Sequence, residues 1–426
     1  MRRDNPNQKI YDFAGIGLGP FNLGLAALSH HLKNMDSIFL DEKKEFNWHP
    51  GMLLEYATLQ VPFYADLVTL ADPCNPFSYL NFLKAQNRLF KFAIRDDNYV
   101  FRIEYNEYCR WVVKQLSNIQ FSSRVDTVDF DDQDKHFILS TARRRYTARK
   151  IVLGTGTRPF IPDFINIGQH KNIIHSSSYL FHKEALSKHQ SIILIGSGQS
   201  AAEIFYDLLQ NWHHGDKRIA WYTRSDRIFQ MDTSPFCCEL STPDYIRHFF
   251  SLPVQKKASI LKEQACLYKG INNNLLKQIY DLLYMKMIQQ QDRLICIKSN
   301  CMLRNIHQFK NNVYKADLYN EQTAGRFTDQ ADCMILATGY TYAIPDFIAP
   351  VKEMINFDEQ GHYNVAANYS IDKTNNRIFV QNAELHTHGF NTPDLSLGPY
   401  RNGIILNSIT GKELFKFGDS YVFQQF

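Results

Sequence analysis

Three glycines, Gly15, Gly17 and Gly19, stand where an apolar run ending in Phe13-Ala14 gives way to Pro20-Phe21-Asn22 and the helical pattern Leu23-Gly24-Leu25-Ala26-Ala27-Leu28. A strand that turns sharply through glycines lets a ligand reach the backbone with no Cβ in the way. The helix that follows aims free N–H groups and a positive dipole end at the same place. The chemistry this serves is capture of a pyrophosphate. Counted from Gly15 the pattern is GxGxxP, with Pro20 where a third glycine is usual. About 20 residues on, Ser37-Ile38-Phe39-Leu40 reads as a second strand ending in Asp41, an acid placed to hold a ribose hydroxyl.

The same logic recurs at Ser191-Ile192-Ile193-Leu194-Ile195 followed by Gly196-Ser197-Gly198-Gln199-Ser200-Ala201, where small Ala201 permits close contact between helix and strand. The next strand begins at Arg218 and runs into Arg224, with Arg227 close behind. An NAD site would place an acid there, whereas arginine suits a 2′-phosphate, so this second site is expected to take NADPH.

The elements that must position these residues follow from apolar runs. Ile151-Val152-Leu153 ends in Gly154-Thr155-Gly156, and Cys333-Met334-Ile335-Leu336 ends in Ala337-Thr338-Gly339-Tyr340. Two glycine-rich motifs, each trailed by a strand ending in Thr-Gly, indicate an α/β protein with two Rossmann-like dinucleotide-binding domains, the second inserted into the first. The expected division is 1–180 and 331–426 for the first domain and 185–330 for the second. A small, mainly helical insertion at about 231–290 would serve a substrate site. Helical periodicity over Pro76–Leu83 and Glu104–Leu116 places Tyr105, Tyr108, Trp111 and Val112 in a core stripe. Phe46–Met52 and Thr58–Leu67, rich in aromatic and turn residues, could wall a flat ring.

Composition narrows the classes. A chain of 426 residues with 44% hydrophobic content suits two or three domains, and a net charge of +4, with both signs interspersed, does not indicate nucleic acid. Eight cysteines with no CxxC pair and no Cys/His metal spacing argue against a zinc ribbon, an iron–sulfur cluster, a disulfide framework and a CxxC disulfide reductase, and they fit a reducing cytoplasm. His386 and His388 have no third ligand at a suggestive interval and read as a turn, so no metal is expected. The N-terminus lacks an apolar signal core and no run is long enough to span a membrane.

Together these pieces resemble the flavin-dependent N-hydroxylating monooxygenases of siderophore biosynthesis, the lysine and ornithine N-hydroxylase family. The resemblance runs from about Asp12 to the C-terminus. It rests on Gly15–Leu23 with its proline, Phe46-Asn47-Trp48-His49-Pro50-Gly51-Met52, Leu59-Gln60-Val61-Pro62-Phe63, Asp66-Leu67-Val68-Thr69, Gly196–Ala201 and Ala337–Tyr340. It implies that FAD is held by Gly15, Gly17, Gly19, Pro20, Asn22, Asp41, Trp48, His49, Gln60, Val125, Pro393, Asp394 and Leu395. NADPH would be held by Gly196, Ser197, Gly198, Gln199, Ser200, Ala201, Arg224, Ala337, Thr338, Gly339 and Tyr340. Reduced flavin would take up dioxygen as a C4a-hydroperoxide and pass one oxygen atom to an amine, with no catalytic side chain beyond the flavin.

Substrate contacts are expected from Gln60, Ala65, Lys269, Asn272 and Ser396. The family's amino-acid hydroxylases carry, at the position of Ala65, a lysine that pairs with the substrate carboxylate. Without that charge a carboxylate would be costly to bury, so the expected substrate is a decarboxylated amine such as cadaverine, putrescine or histamine. Lysine or ornithine hydroxylation, a Baeyer–Villiger-like monooxygenase and a non-catalytic flavoprotein are the alternatives. The family also implies a homotetramer or dimer.

Overall fold

The apolar run Ile10–Ile16 forms strand β1, and the chain then turns into helix α1 (Pro20–Ser29). Proline at the first helical position costs no hydrogen bond, since the first N–H groups of any helix lack partners within it. Strand β2 (Ser37–Leu40) returns parallel to β1, with Phe13 opposite Ser37 and Ile16 opposite Leu40. Strands β3 (Ile119–Gln120), β4 (Val125–Asp131), β5 (His136–Thr141) and β6 (Arg145–Leu153) extend the sheet in the order β3-β2-β1-β6-β5-β4. The late strand Ile378–Val380 pairs in parallel with the end of β6. The computed structural model from which this is drawn describes residues 9–211, 217–309 and 313–426.

The second sheet is wholly parallel: β7 (Ile173–His175), β8 (Ser191–Ile195), β9 (Arg218–Tyr222), β10 (Ile295–Lys298) and β11 (Cys333–Leu336), in the order β7-β11-β8-β9-β10. Its central strands are unbroken apolar runs because both faces are covered. One face packs on Phe205 and Leu208 of helix α3 (Gln199–Asn211) and the other on Leu303, Ala316 and Leu318 of an antiparallel ribbon.

This topology moves two boundaries. β7 lies before residue 180 and β11 after residue 331, yet both belong to the second sheet. The likeness of Cys333–Gly339 to Ile151–Gly156 suggested a return to the first domain, but each closing strand pairs with the strand of its own glycine turn. The two crossings between sheets run side by side, Thr157–Pro159 antiparallel to Tyr340–Tyr342.

Between β9 and β10 lies the expected helical insertion: Pro235–Cys238, Pro243–Ser251, Val254–Glu263, Ala265–Tyr268 and α4 (Asn273–Ile288). Helix α2 (Arg102–Val113) buries Tyr105, Tyr108 and Val112 in the first core, as their periodicity predicts. The helix expected over Pro76–Leu83 starts later, at Tyr79, because the Ser78 side chain caps it by accepting from Asn81 N–H. The expected turn at His386–His388 is a short helix, Leu385–His388.

Candidate active site

The two glycine turns can be laid on one another by their hydrogen bonds. Gly17 N–H donates to Leu40 O at 2.8 Å and Gly154 N–H to Ile16 O at 2.9 Å; Gly196 N–H donates to Tyr222 O at 3.0 Å and Ala337 N–H to Ile195 O at 2.7 Å. Gly17 therefore corresponds to Gly196, Gly19 to Gly198 and Asn22 to Ala201. The fingerprint is read from Gly17, not Gly15, and its third position holds Asn22, not Pro20. Gly15 sits inside β1, where a Cβ would stand 2.3 Å from the Phe39 ring.

In both turns the first glycine is required by the fold. A Cβ on Gly17, at φ +85°, would stand 2.5 Å from Gly154 O, and one on Gly196, at φ +147°, 2.2 Å from Ala337 O. The second glycines answer to something else. Gly19 has nothing within 4 Å of where its Cβ would be, and Gly198 meets only Lys269 O at 3.7 Å. The protein itself tolerates a side chain there, whereas a pyrophosphate lying on the turn and the helix N-terminus would not. Both cradles fit a dinucleotide.

The strand ends differ in charge. Buried Asp41 accepts from Leu18 N–H at 2.6 Å and Lys43 N–H at 2.8 Å, one bond on each oxygen. It keeps acceptor sites for a ribose diol. Ser123 N–H donates to Asp41 O at 2.8 Å, which brings buried Val125 to the same end. Arg224, past the end of β9, is exposed and has no ion-pair partner among the described residues.

The lobes and the insertion meet around Gln60, whose Nε2 donates to Gly270 O at 3.0 Å. Asn272 N–H donates to Gln199 Oε1 at 2.9 Å, and Gln199 Nε2 donates to Glu203 Oε1 at 2.8 Å. Glu203 also takes two bonds from Arg102, at 2.8 and 2.6 Å. Gln60, Gln199 and Asn272 were expected at a site. Arg102 and Glu203 were not, because a pair 101 residues apart leaves no local signal. Asn272 uses its side chain to cap α4, accepting from Asn274 N–H at 2.9 Å.

His49, at φ +48°, is the N-cap of a short turn, and its ring lies 4.8 Å from Trp48 and 5.8 Å from Tyr340. Although the ring reaches solvent, enclosure by protein, with help from the charges of Arg102 and Lys43, pushes its pKa down to about 4. Trp48 N–H is fixed by Asn106 Oδ1 at 2.9 Å. Thr338 bonds through its hydroxyl to Phe160 O, holding the closing turn with Gly339 at φ +87°.

Ala65 is buried, and its neighbour Asp66 is saturated by Val68 N–H, Thr69 N–H and Oγ1–H, and Tyr79 N–H. Leu395 shares a small cleft with Pro20, Phe21, Asp66 and Leu67, so the Pro393–Ser396 segment faces both the first turn and the Ala65 loop. Lys269 is exposed, its ammonium 5.0 Å from the Tyr268 ring centre. A larger cleft of about 650 Å³, lined by Pro159, Ile161, His170 and His182, includes none of the expected site residues. His386 and His388 diverge: His388 stacks on Tyr369 at 4.5 Å, while His386 places a ring nitrogen 2.7 Å from Tyr363 O. Among the described residues His386 groups with Asp358 and His362, donor atoms within 4.8 Å, apart from the glycine turns.

Residues 9–342 match the family described as L-lysine 6-monooxygenase/L-ornithine 5-monooxygenase. The chain belongs to this family. A putrescine N-hydroxylase of Acinetobacter baumannii is 40% identical over 99% of this chain and 94% of its own length. The crystal structure of FAD-bound DfoA, the cadaverine monooxygenase of desferrioxamine biosynthesis in Erwinia amylovora, is 40% identical and superposes with a TM-score of 0.95 over 98% of this chain and 99% of that one. An ornithine N-hydroxylase of Kutzneria, solved with reduced FAD, NADP⁺ and L-ornithine, is 26% identical with a TM-score of 0.87 over 95% and 99%. The protein is a flavin-dependent N-monooxygenase that uses FAD and NADPH, with the two-Rossmann fold expected from its sequence. No helix among the described residues is long and apolar enough to cross a membrane.

Proposed function

We propose that this enzyme N-hydroxylates a primary amine lacking a carboxylate, of the putrescine or cadaverine class, and that the product enters a hydroxamate siderophore. The observation that carries the reading is electrostatic. Ala65 offers no charge, and the nearby part-buried Arg102 and buried Arg401 are each paired, Arg102 with Glu203 at 2.6 Å and Arg401 with Glu384 at 2.9 Å. At Ala65 itself a substrate carboxylate would meet no side-chain charge. The named activities of the Acinetobacter and Erwinia relatives point the same way.

In this assignment the turn from Gly17 to Asn22, with Asp41, Val125 and the Trp48-His49 loop, holds FAD, and the turn from Gly196 to Ala201, with Arg224 and Ala337–Tyr340, holds NADPH. Bound flavin, once reduced, activates dioxygen and supplies the transferred oxygen atom. The chain's own task is to orient and to exclude water. Gln60, Gln199 and Asn272 close the seam between lobes and insertion, and Trp48 and His49 wall the ring. A free alkyl amine has a pKa near 10.4, so the pocket must favour the neutral amine by desolvating it. We place the enzyme in the cytoplasm as a homo-oligomer.

The test is hydroxylamine formation per NADPH consumed with putrescine, cadaverine, histamine, lysine and ornithine. The diamines should give the highest kcat/KM; faster hydroxylation of lysine or ornithine would overturn the reading.

A further inference from the structure

The two acids beside the Ala65 loop differ in one respect. Asp66 receives four hydrogen bonds, a full set for a carboxylate, and has nothing left to offer a ligand. Asp394 receives two that both fall on Oδ1, from Ser396 N–H at 2.9 Å and Ser396 Oγ–H at 2.7 Å. The Ser241 side chain supplies a third, which leaves one of the four acceptor sites open. It keeps some solvent access while protein surrounds it, and this enclosure pushes its pKa up. No ion pair reaches it among the described residues. Arg401, the nearest cationic influence, is paired with buried Glu384.

Asp394 also faces the right surroundings. It lies within electrostatic reach of the Tyr64 hydroxyl, next to Ala65, and of Cys238 in the helical insertion. Asn391, in the same segment, donates to Leu240 O at 2.9 Å, fastening this turn to the insertion. The carboxylate thus sits where the Ala65 loop, the insertion and the Pro393–Ser396 turn converge. A diamine brings a second ammonium into that space, and a buried ammonium needs a counter-charge.

We propose that Asp394 is the specificity residue that receives the remote ammonium of an α,ω-diamine, rather than a flavin contact. This rests on the diamine reading above. The site then exchanges one sign for the other: no cation at Ala65, and an anion at Asp394 with acceptor capacity left for one N⁺–H donor. A monoamine of equal length would leave that carboxylate without its partner.

The experiment compares putrescine with butylamine and cadaverine with pentylamine, using FAD-bound wild type, Asp394→Asn and Asp394→Glu. Two readouts are taken: calorimetric binding to the oxidised enzyme and hydroxylamine kcat/KM. Wild type should prefer each diamine over its monoamine, and D394N should shrink that preference by roughly 30-fold or more, in KM rather than kcat. D394E should restore part of it. A preference that survives in D394N, or equal losses for diamine and monoamine together with loss of bound FAD, would overturn the proposal. Wild type that hydroxylates no diamine would overturn the substrate reading itself, and this inference with it.

Discussion

The first and second glycine turns share one backbone device and differ in a pair of residues that trade volume. At the third position the second turn has Ala201, and its closing strand presents Ala337. The first turn has the larger Asn22, and its closing strand presents Gly154. A Cβ on Gly154 would lie 2.3 Å from Asn22 Nδ2, so the absence of one side chain makes room for the other. In return Asn22 Nδ2 donates to Gly17 O at 2.7 Å and its Oδ1 accepts from Gln381 Nε2 at 2.7 Å. The first turn is braced by Asn22 of its own helix, whereas the second is braced from the neighbouring strand, where Trp221 Nε1–H donates to Gly196 O at 2.7 Å. That difference explains why a strict glycine pattern finds the second turn and misreads the first.

Breaking either turn at its first glycine should give the largest effects. Gly17→Ala adds a left-handed φ penalty to a backbone clash, about 3 kcal/mol or more in all, and should yield protein depleted of FAD. Gly196→Ala should instead retain FAD and lose NADP⁺ affinity. Flavin absorbance per chain and NADP⁺ titration separate the two outcomes; loss of FAD from both variants would mean that the turns are not independent.

The volume trade is tested next. Gly154→Ala should lower stability by about 1–3 kcal/mol through overpacking. Asn22→Ala with Gly154→Ala reproduces the second turn's pairing, and should cost less than the sum of the single changes by more than about 0.5 kcal/mol in thermal melts. Simple additivity would show that Asn22 and Gly154 do not compensate.

The charge difference at the strand ends comes third. Arg224→Ala should weaken NADPH by roughly 10- to 100-fold, the worth of a charge-assisted bond, and leave NADH nearly unchanged. Equal losses for both would remove Arg224 from the 2′-phosphate.

The last effect is in pH. Behind the first turn, Arg401 lies over Phe21, its guanidinium 4.6 Å from the ring centre, and also over Tyr369, on which His388 stacks. Burial, with Arg401 nearby, pushes the His388 pKa down to about 3, below the ordinary 6.5 of an unfolded chain. The unfolded state then binds the proton first, so stability falls as pH drops from about 6.5 towards 3, by at most about 1.4 kcal/mol per pH unit. His388→Gln should flatten that slope in urea denaturation across pH 6 to 4. An unchanged slope would assign the acid sensitivity elsewhere.

The elements that could be seen in the sequence are those whose signal is local. β1, β8, both helix starts and the Thr-Gly closures follow from apolar runs broken by glycine, and Asp41 and Arg224 from their place at strand ends. What could not be seen is pairing at a distance. The register of the first fingerprint depends on which residue meets Gly154, a contact made more than a hundred residues later in the chain. The same holds for the partnership of Arg102 with Glu203 and for the side of the Ala65 loop that Asp394 faces. The domain boundaries failed for a related reason, since Cys333–Leu336 resembles Ile151–Leu153 in sequence and only strand order tells the sheets apart.

The central claim is that these two unlike turns together oxidise a diamine. Its most direct test is the mass of the product formed by the FAD-bound enzyme with NADPH, isotopically labelled dioxygen and an equimolar mixture of putrescine, cadaverine, lysine and ornithine. A diamine carrying one labelled oxygen on nitrogen is the predicted product. Label found mainly in lysine or ornithine, or only in hydrogen peroxide, would contradict it.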